Sequence, residues 1–446
     1  MTARPRLHFT PERNWLNDPN GLVHFGGRYH LYFQHNPNGI DWGDMSWGHA
    51  SSVDLVHWDE HPVALLHGED EGIFSGSVVV DVDGTAGFGA GVLVALYTVA
   101  SSRGQAQALA WSRDGYVWTK CGIVLDRGTR DFRDPKVFRH GDRWVLAAVE
   151  AHEREVHLFS SPDLRTWTAL SVFGPAGAEE GIWECPDLFE LDGHWVLTVS
   201  TNPGGPAGGS GQQYFVGAFD GERFTAESWD WLDYGRDFYA GVTFDSAPRG
   251  ERIMIGWMSN WDYAAQVPTA PWRGSMALPR VLTLRAGKLR QAIAGGPWRG
   301  PVLTEIAATA LTELRLPDAG GCFRIEARLR LGSAQRLVLV LRGGTVVTWD
   351  GDELSVDRTA SGEVDFSPLF ASVSRARAGA GDLLTLDVWV DAGSVEIFAD
   401  DGGVMLTEQI FPAEEQRGAE LFAVGGDAMI ESLRLTALGG CRVTEA

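Results

Sequence analysis

Hydrophobic positions along the first two thirds of the chain come in short runs without helical spacing. Seven-residue segments rich in β-branched and aromatic side chains, each preceded by a Gly or charged turn, recur at Gly27–Phe33, Gly91–Tyr97, Asp142–Ala148, Gly193–Val199 and Glu251–Trp257. In three units the next strand carries a related tail: Ser52-Val-Asp-Leu-Val-His-Trp58, Ser112-Arg-Asp-Gly-Tyr-Val-Trp118 and Ser161-Pro-Asp-Leu-Arg-Thr-Trp167. Aligned on these features, the units start near Asp18, Ser75, Asp134, Glu184 and Tyr239, at separations of 57, 59, 50 and 55 residues. A unit of this size, holding about four strands, cannot cover both of its faces alone, whereas radially arranged units cover one another and protect their edges. The pattern predicts a five-bladed β-propeller over residues 8–285, with a β-sandwich of unrelated topology as the competing architecture.

After Arg285 the pattern changes. Residues 295–300 form a Gly- and Pro-containing hinge. Beyond it, residues 322–331, 384–390 and 394–398 alternate apolar and polar side chains, the period of half-buried antiparallel strands. The all-β chain therefore divides into a five-bladed β-propeller over 1–290, a linker over 291–300 and a C-terminal β-sandwich over 301–446.

Composition narrows the partners. Eighteen Trp and 55 Gly suit a β-protein with a sugar-binding surface, although tryptophans between strands mostly fill core space. A net charge of −22 excludes nucleic acid and anionic membrane surfaces. The most apolar stretch, Val78–Ala100, is interrupted by Asp81, Asp83 and several glycines, so it is not a membrane helix. Cys121, Cys185, Cys322 and Cys441 are widely spaced and make neither a disulfide framework nor a zinc site. His49, His57 and His61 lack metal-site spacing, so no metal is expected. Gly204–Gly211 ends in no Lys and reads as a flexible loop. An N-terminus without an apolar signal segment points to the cytoplasm, though a trimmed secreted protein would look the same.

The chemistry sits at the unit starts. Three innermost strands open with a carboxylate near a proline: Asp18 in Trp15-Leu-Asn-Asp-Pro-Asn-Gly21, Asp134 in Arg133-Asp-Pro135 and Glu184 in Trp183-Glu-Cys-Pro186. Each motif alone is an ordinary turn signal. Recurring at equivalent positions of successive units, they converge on one channel, as glycosidic cleavage requires. One acid must protonate the departing oxygen, and one carboxylate must attack the anomeric carbon or activate water. Glu184, with the longer arm and Trp183 beside it, suits the proton donor. Asp18, directed by Asn17, suits the nucleophile. Asp134, kept ionised by Arg133, is then free to accept sugar hydroxyls. Gln34, Trp42, Ser77, Tyr239 and Trp272 fall near the same channel end, where an amide or hydroxyl can bond a sugar and an aromatic ring can pack on it; blade packing is the alternative for each.

These motifs, with Tyr32-Phe-Gln-His-Asn-Pro37, Trp47-Gly-His-Ala50, Asp54-Leu-Val-His-Trp58, Phe74-Ser-Gly-Ser77 and Val395-Glu-Ile-Phe398, run in the order of glycoside hydrolase family 32, which the chain resembles over nearly its whole length. The resemblance implies a retaining β-fructofuranosidase acting on sucrose, inulin or levan without a cofactor. It implies Asp18 as nucleophile, Glu184 as acid/base and Asp134 as transition-state stabiliser. It also implies that Asn17, Gln34, Trp42, Ser77, Arg133 and Trp272 contact the fructosyl unit. Leu16 departs from the Met of many relatives at similar volume. Fructosyl transfer, internal cleavage and a non-catalytic carbohydrate-binding propeller remain as alternatives.

Overall fold

The computed structural model describes residues 4–379 and 381–439; Cys441 lies outside them. Five sheets follow in order, each built on four antiparallel strands. Their innermost strands are Asn14–Phe25, Glu71–Asp81, Phe132–His140, Ile182–Leu191 and Tyr239–Thr243. Apolar side chains from facing blades interdigitate between them: Val79, Leu96 and Leu109 pack with Phe132, Leu146 and Phe159 between blades 2 and 3.

The Ser-x-Asp tails have a local physical reason. In blades 1 and 2 the Ser hydroxyl accepts the amide three residues on, and the Asp carboxylate accepts the next two amides: Leu55, Val56 and His57 in blade 1, Gly115, Tyr116 and Val117 in blade 2. In blade 3 Ser161 accepts the Asp163 amide, and the Asp163 carboxylate accepts those of Arg165 and Thr166. The residue at the turn has positive φ each time, at Leu55, Gly115 and Leu164. This side-chain-capped turn joins the third strand to the fourth, and its side chains, not its loop length, set the geometry.

Blade 1 has a fifth strand. Trp272 and Arg273 pair parallel to Asn14 and Trp15. The chain passes out of blade 5 between its second and third strands, latches onto blade 1 through Trp272 and Arg273, and returns at Arg280–Arg285. The ring is thereby closed by backbone pairing.

The last propeller strand is Lys288–Ile293, and the next begins at Val302. From there two six-stranded antiparallel sheets form a sandwich over a core that includes Phe323, Leu341, Trp349, Val388 and Ile397. Propeller and sandwich meet across a seam of buried charge. His8 lies between Asp391 and Glu396, at 2.9 Å from each. Arg280 bridges Asp233 at 3.0 Å and Glu396 at 2.6 Å. Arg358 joins Asp237 at 2.5 Å and Glu408 at 3.0 Å. Among the described residues no helix is long and apolar enough to cross a membrane.

The Gly204–Gly211 segment is not a loose loop. Asn260 donates to Gly208 O and Ser210 O and accepts from Ser210 N, and a Cβ at Gly209 would stand 2.1 Å from Asn260 Oδ1. The glycines allow this close approach between backbone and side chain.

Candidate active site

Every innermost strand carries the same irregularity at its mouth: two residues stand against one on the neighbouring strand. The bulged pairs are Asn17 and Asp18, Phe74 and Ser75, Asp134 and Pro135, Cys185 and Pro186, Ala240 and Gly241. Such bulges bend a strand and re-aim its side chains. Asp134, Cys185 and Ala240, the first bulge residues of blades 3 to 5, have φ of 61°, 47° and 53°. For non-glycine residues this costs on the order of 1 kcal/mol or more each, and such strain collects at functional sites.

The bulges correct one expectation. The three acids are not at equivalent positions of their strands. Glu184 is the last paired residue before its bulge, Asp134 is the first bulge residue and Asp18 the second. Neighbouring blades therefore contribute rings of side chains at successive depths. The first ring places Arg133, Glu184 and Tyr239 side by side. Arg133 Nε donates to Glu184 Oε1 at 3.1 Å, and the Tyr239 hydroxyl donates to Glu184 Oε2. In the second ring the Cys185 amide donates to Asp134 Oδ2 at 2.9 Å. In the third, Ser75 Oγ donates to Asp18 Oδ2 at 2.7 Å. Cys185 Sγ ties the rings together, 3.4 Å from Asp18 Oδ2 and 3.7 Å from Asp134 Oδ2.

Burial sets the electrostatics. Burial, reinforced by the nearby Glu184 charge, pushes Asp18 up to about 6, against hydrogen bonds from Ser75, Asn17 and Cys185 that favour its charged form. Asp134 is pushed up to about 7 by burial and by the charges of Glu184 and Asp18, with Arg133 opposing. Arg133 was expected to keep Asp134 ionised. Its guanidinium faces Glu184 more closely, with Asp134 at 3.9 Å, and the balance runs the other way. Several carboxyl groups thus compete for few compensating charges, and the cluster holds protons near neutral pH.

The remaining candidates divide. Asn17 accepts from Trp15 Nε1 at 2.6 Å and donates to Asp18 Oδ1 at 3.0 Å. Gln34 sits opposite the blade 1 bulge, buried, with no partner for Nε2 among the described residues. Trp42 is half exposed, its ring edge-on to Phe74 at 5.9 Å. Trp272 lies where the ring of blades closes, with the Arg4 guanidinium 4.0 Å above it. Ser77 differs from expectation. Its hydroxyl donates to Pro135 O at 2.8 Å and accepts from Val137 N at 2.9 Å, so it stitches blade 2 to blade 3 below the acids. The hydroxyl that meets an acid is Ser75. Its signal was present in the sequence, since Ser75 occupies in unit two the place of Asp18 in unit one. The Cys185 thiol carries no such signal, because nothing local in the sequence shows that it points between two carboxylates.

Below the acids the channel is filled. Lys136 Nζ donates to Thr243 O at 2.6 Å and pairs with Asp187 at 3.1 Å, and Asn20 Oδ1 accepts from Gly76 N at 3.1 Å. The cavity left among these residues is about 10 Å³, the room of roughly one water. The funnel has a floor.

A propeller with a trailing sandwich and a cluster of buried acids at its channel mouth is the build of a glycoside hydrolase. Residues 8–292 match the glycosyl hydrolases family 32 N-terminal domain, and residues 300–437 match the family 32 C-terminal domain. A levanase from Bacillus subtilis (strain 168) is 40% identical, over 97% of this chain and 70% of that protein. An extracellular exo-inulinase from Aspergillus niger is 37% identical, over 95% of this chain and 92% of that protein. Among solved structures, exo-inulinase from Aspergillus awamori superposes with a TM-score of 0.91 at 35% identity, covering 99% of both chains. A β-fructofuranosidase from Schwanniomyces occidentalis complexed with fructosyl-erythritol gives 0.90 at 32% identity, covering 98% of both. The chain belongs to glycoside hydrolase family 32 and is an enzyme of the β-fructofuranosidase type.

Proposed function

We propose that the enzyme releases terminal β-D-fructofuranosyl units from fructans of the levan or inulin kind and from sucrose, by a retaining mechanism. The observation that carries this reading is the bulge-presented cluster, in which Asp18, Asp134 and Glu184 share Cys185 and Arg133 as neighbours. Asp18 Oδ1 or Oδ2 attacks the anomeric carbon while Glu184 delivers a proton to the departing oxygen; Glu184 then takes a proton from the water that cleaves the fructosyl ester. Tyr239 and Arg133 hold the Glu184 carboxyl on two sides. Asp134 accepts sugar hydroxyls as positive charge grows on the ring. Gln34 Nε2 supplies a buried donor to the sugar, and the exposed Trp42 indole flanks the entrance.

The exo-inulinases among the relatives support release from chain ends. Free thiols at Cys121, Cys185 and Cys322 support residence in a reducing compartment such as the cytoplasm. Incubation with sucrose, inulin and levan in turn, with products followed over time, tests the substrate reading. Fructose as the first and dominant product from inulin and levan, and glucose and fructose in equal amounts from sucrose, are expected. Oligosaccharides appearing before fructose, or glucose released from sucrose well in excess of fructose, would contradict it.

A further inference from the structure

The segment that enters blade 5 just before Tyr239 is held by the sandwich. Residues 233–237 run along Val404–Gln409, the edge strand of one sandwich sheet. Tyr234 N donates to Met405 O at 2.8 Å, Asp237 N to Thr407 O at 3.0 Å and Arg236 N to Glu408 Oε1 at 3.3 Å. In return Gln409 N donates to Asp237 Oδ2 at 2.8 Å. At Gly235 the two backbones approach so closely that a Cβ would stand 2.2 Å from Thr407 N. This propeller segment thus covers the open edge of the sandwich sheet.

Arg358 locks this arrangement from the opposite sheet, where it follows the strand Glu353–Asp357. It is fully buried. Nη1 donates to Asp237 Oδ2 at 2.5 Å, Nη2 to Tyr263 Oη at 2.8 Å and Nε to Phe370 O at 2.9 Å. Tyr263 Oη donates in turn to Asp237 Oδ1 at 2.6 Å, so both carboxylate oxygens are fixed. Asp237 stands two residues before Tyr239, and the blade 5 bulge begins immediately after it.

We infer that Arg358 is a positioning residue for the reaction: through Asp237 it aims the Tyr239 hydroxyl at Glu184, which makes the sandwich part of the catalytic apparatus. A displacement of about 1 Å in such a chain is enough to cost a well-aligned contact. The inference rests on the reading of Glu184 as acid/base.

The test is a kinetic cycle of wild type, Arg358→Lys, Tyr239→Phe and the double variant, with Glu184→Gln as reference. Each is assayed on sucrose and on a β-fructofuranoside with a nitrophenyl leaving group. Nitrophenolate departs without a proton, so damage at the acid/base lowers turnover of sucrose far more than of the aryl substrate. In Glu184→Gln the ratio of the two rates should change by about 10²-fold or more. Arg358→Lys and Tyr239→Phe should shift it in the same direction, on the order of tenfold, with the double variant no worse than Tyr239→Phe alone. If Arg358→Lys does not fold, Asp237→Asn takes its place in the cycle. An unchanged ratio in Glu184→Gln overturns the acid/base reading and this inference with it. A changed ratio there, combined with a wild-type ratio in Arg358→Lys or with multiplying losses in the double variant, overturns the inference alone.

Discussion

Two regions of this molecule bury carboxylates, and they treat them in opposite ways. At the seam between propeller and sandwich, Asp391 is held well below the usual carboxylate range, since bonds from His8 and Cys322 outweigh the burial that would raise it. Glu396 is lowered against burial by the Arg280 charge and by His8. At the channel mouth, burial and mutual repulsion raise Asp18 to about 6 and Asp134 to about 7. The seam supplies cations to its acids, and the mouth supplies one arginine to three. Glu408 is the seam's exception, raised to about 7 by burial and by Asp237, with which it shares Arg358. Fully paired charge makes a rigid joint, whereas under-compensated charge makes groups that trade protons near neutrality. The contrast separates the part of the protein that fixes positions from the part that reacts.

The largest expected effects come from removing charge at the mouth. Asp18→Asn and Glu184→Gln should each lower kcat on sucrose by at least about 10³-fold while the protein stays folded. For Asp18 the linkage has a definite sign. Its folded-state value is raised from 3.8 to about 6, so stability is lost as pH rises from about 3.8 to about 6 and stays lower above that, and the amide should raise stability at pH 7 by up to about 3 kcal/mol. Denaturant titration beside the assay checks both; a less stable Asp18→Asn protein would blur the contrast between the regions.

Removing charge at the seam should do the reverse. Arg280→Met leaves Asp233 buried without a cation and Glu396 with His8 alone, and should cost about 3–5 kcal/mol of stability. Turnover per folded molecule should fall far less than in Asp18→Asn or Glu184→Gln. Urea midpoints and active-site-normalised rates, taken together, show whether the two losses separate.

The pH dependence of the seam is the next sharpening. Burial alone would lower His8, yet hydrogen bonds and charge from Asp391 and Glu396 hold it up to about 9. An unfolded histidine titrates near 6.5, so the stabilisation is complete below about that pH and is lost as pH rises through about 9; its size is about 3 kcal/mol. His8→Gln should flatten this slope between about pH 6.5 and 9. A wild-type slope in the variant would remove His8 from the account.

The smallest effect tests the tuning of the mouth. Ser75→Ala deletes a hydrogen bond that favours charged Asp18. The acidic limb of kcat/KM, where activity falls as Asp18 gains its proton, should move upward by roughly half a pH unit. An unmoved limb would mean that another group governs it.

Much of the propeller could be read from the chain because each blade repeats one short-range device. The Ser-x-Asp turns and the seven-residue runs are local, and local chemistry is visible in sequence. The acids were visible for the same reason, each marked by a nearby proline. Their stagger was not, since a bulge is defined by the partner strand: Asp18 is displaced relative to Glu184 only because two residues face one across the ladder. Ser77 was preferred over Ser75 for want of that register. The seam escaped altogether. His8 meets Asp391, and Asp237 meets Arg358, across more than a hundred residues, and no periodicity signals such pairs.

The central claim is that the bulges of blades 1 and 4 present Asp18 and Glu184 to one sugar ring, with Asp18 forming the covalent bond. Mass spectrometry of Glu184→Gln mixed with the nitrophenyl fructofuranoside and digested at low pH tests it directly. One fructosyl unit should be found esterified to the peptide that contains Asp18, and adding azide should release a β-configured product. A fructosyl group on a different peptide, or an unlabelled protein yielding an inverted product, would contradict the account.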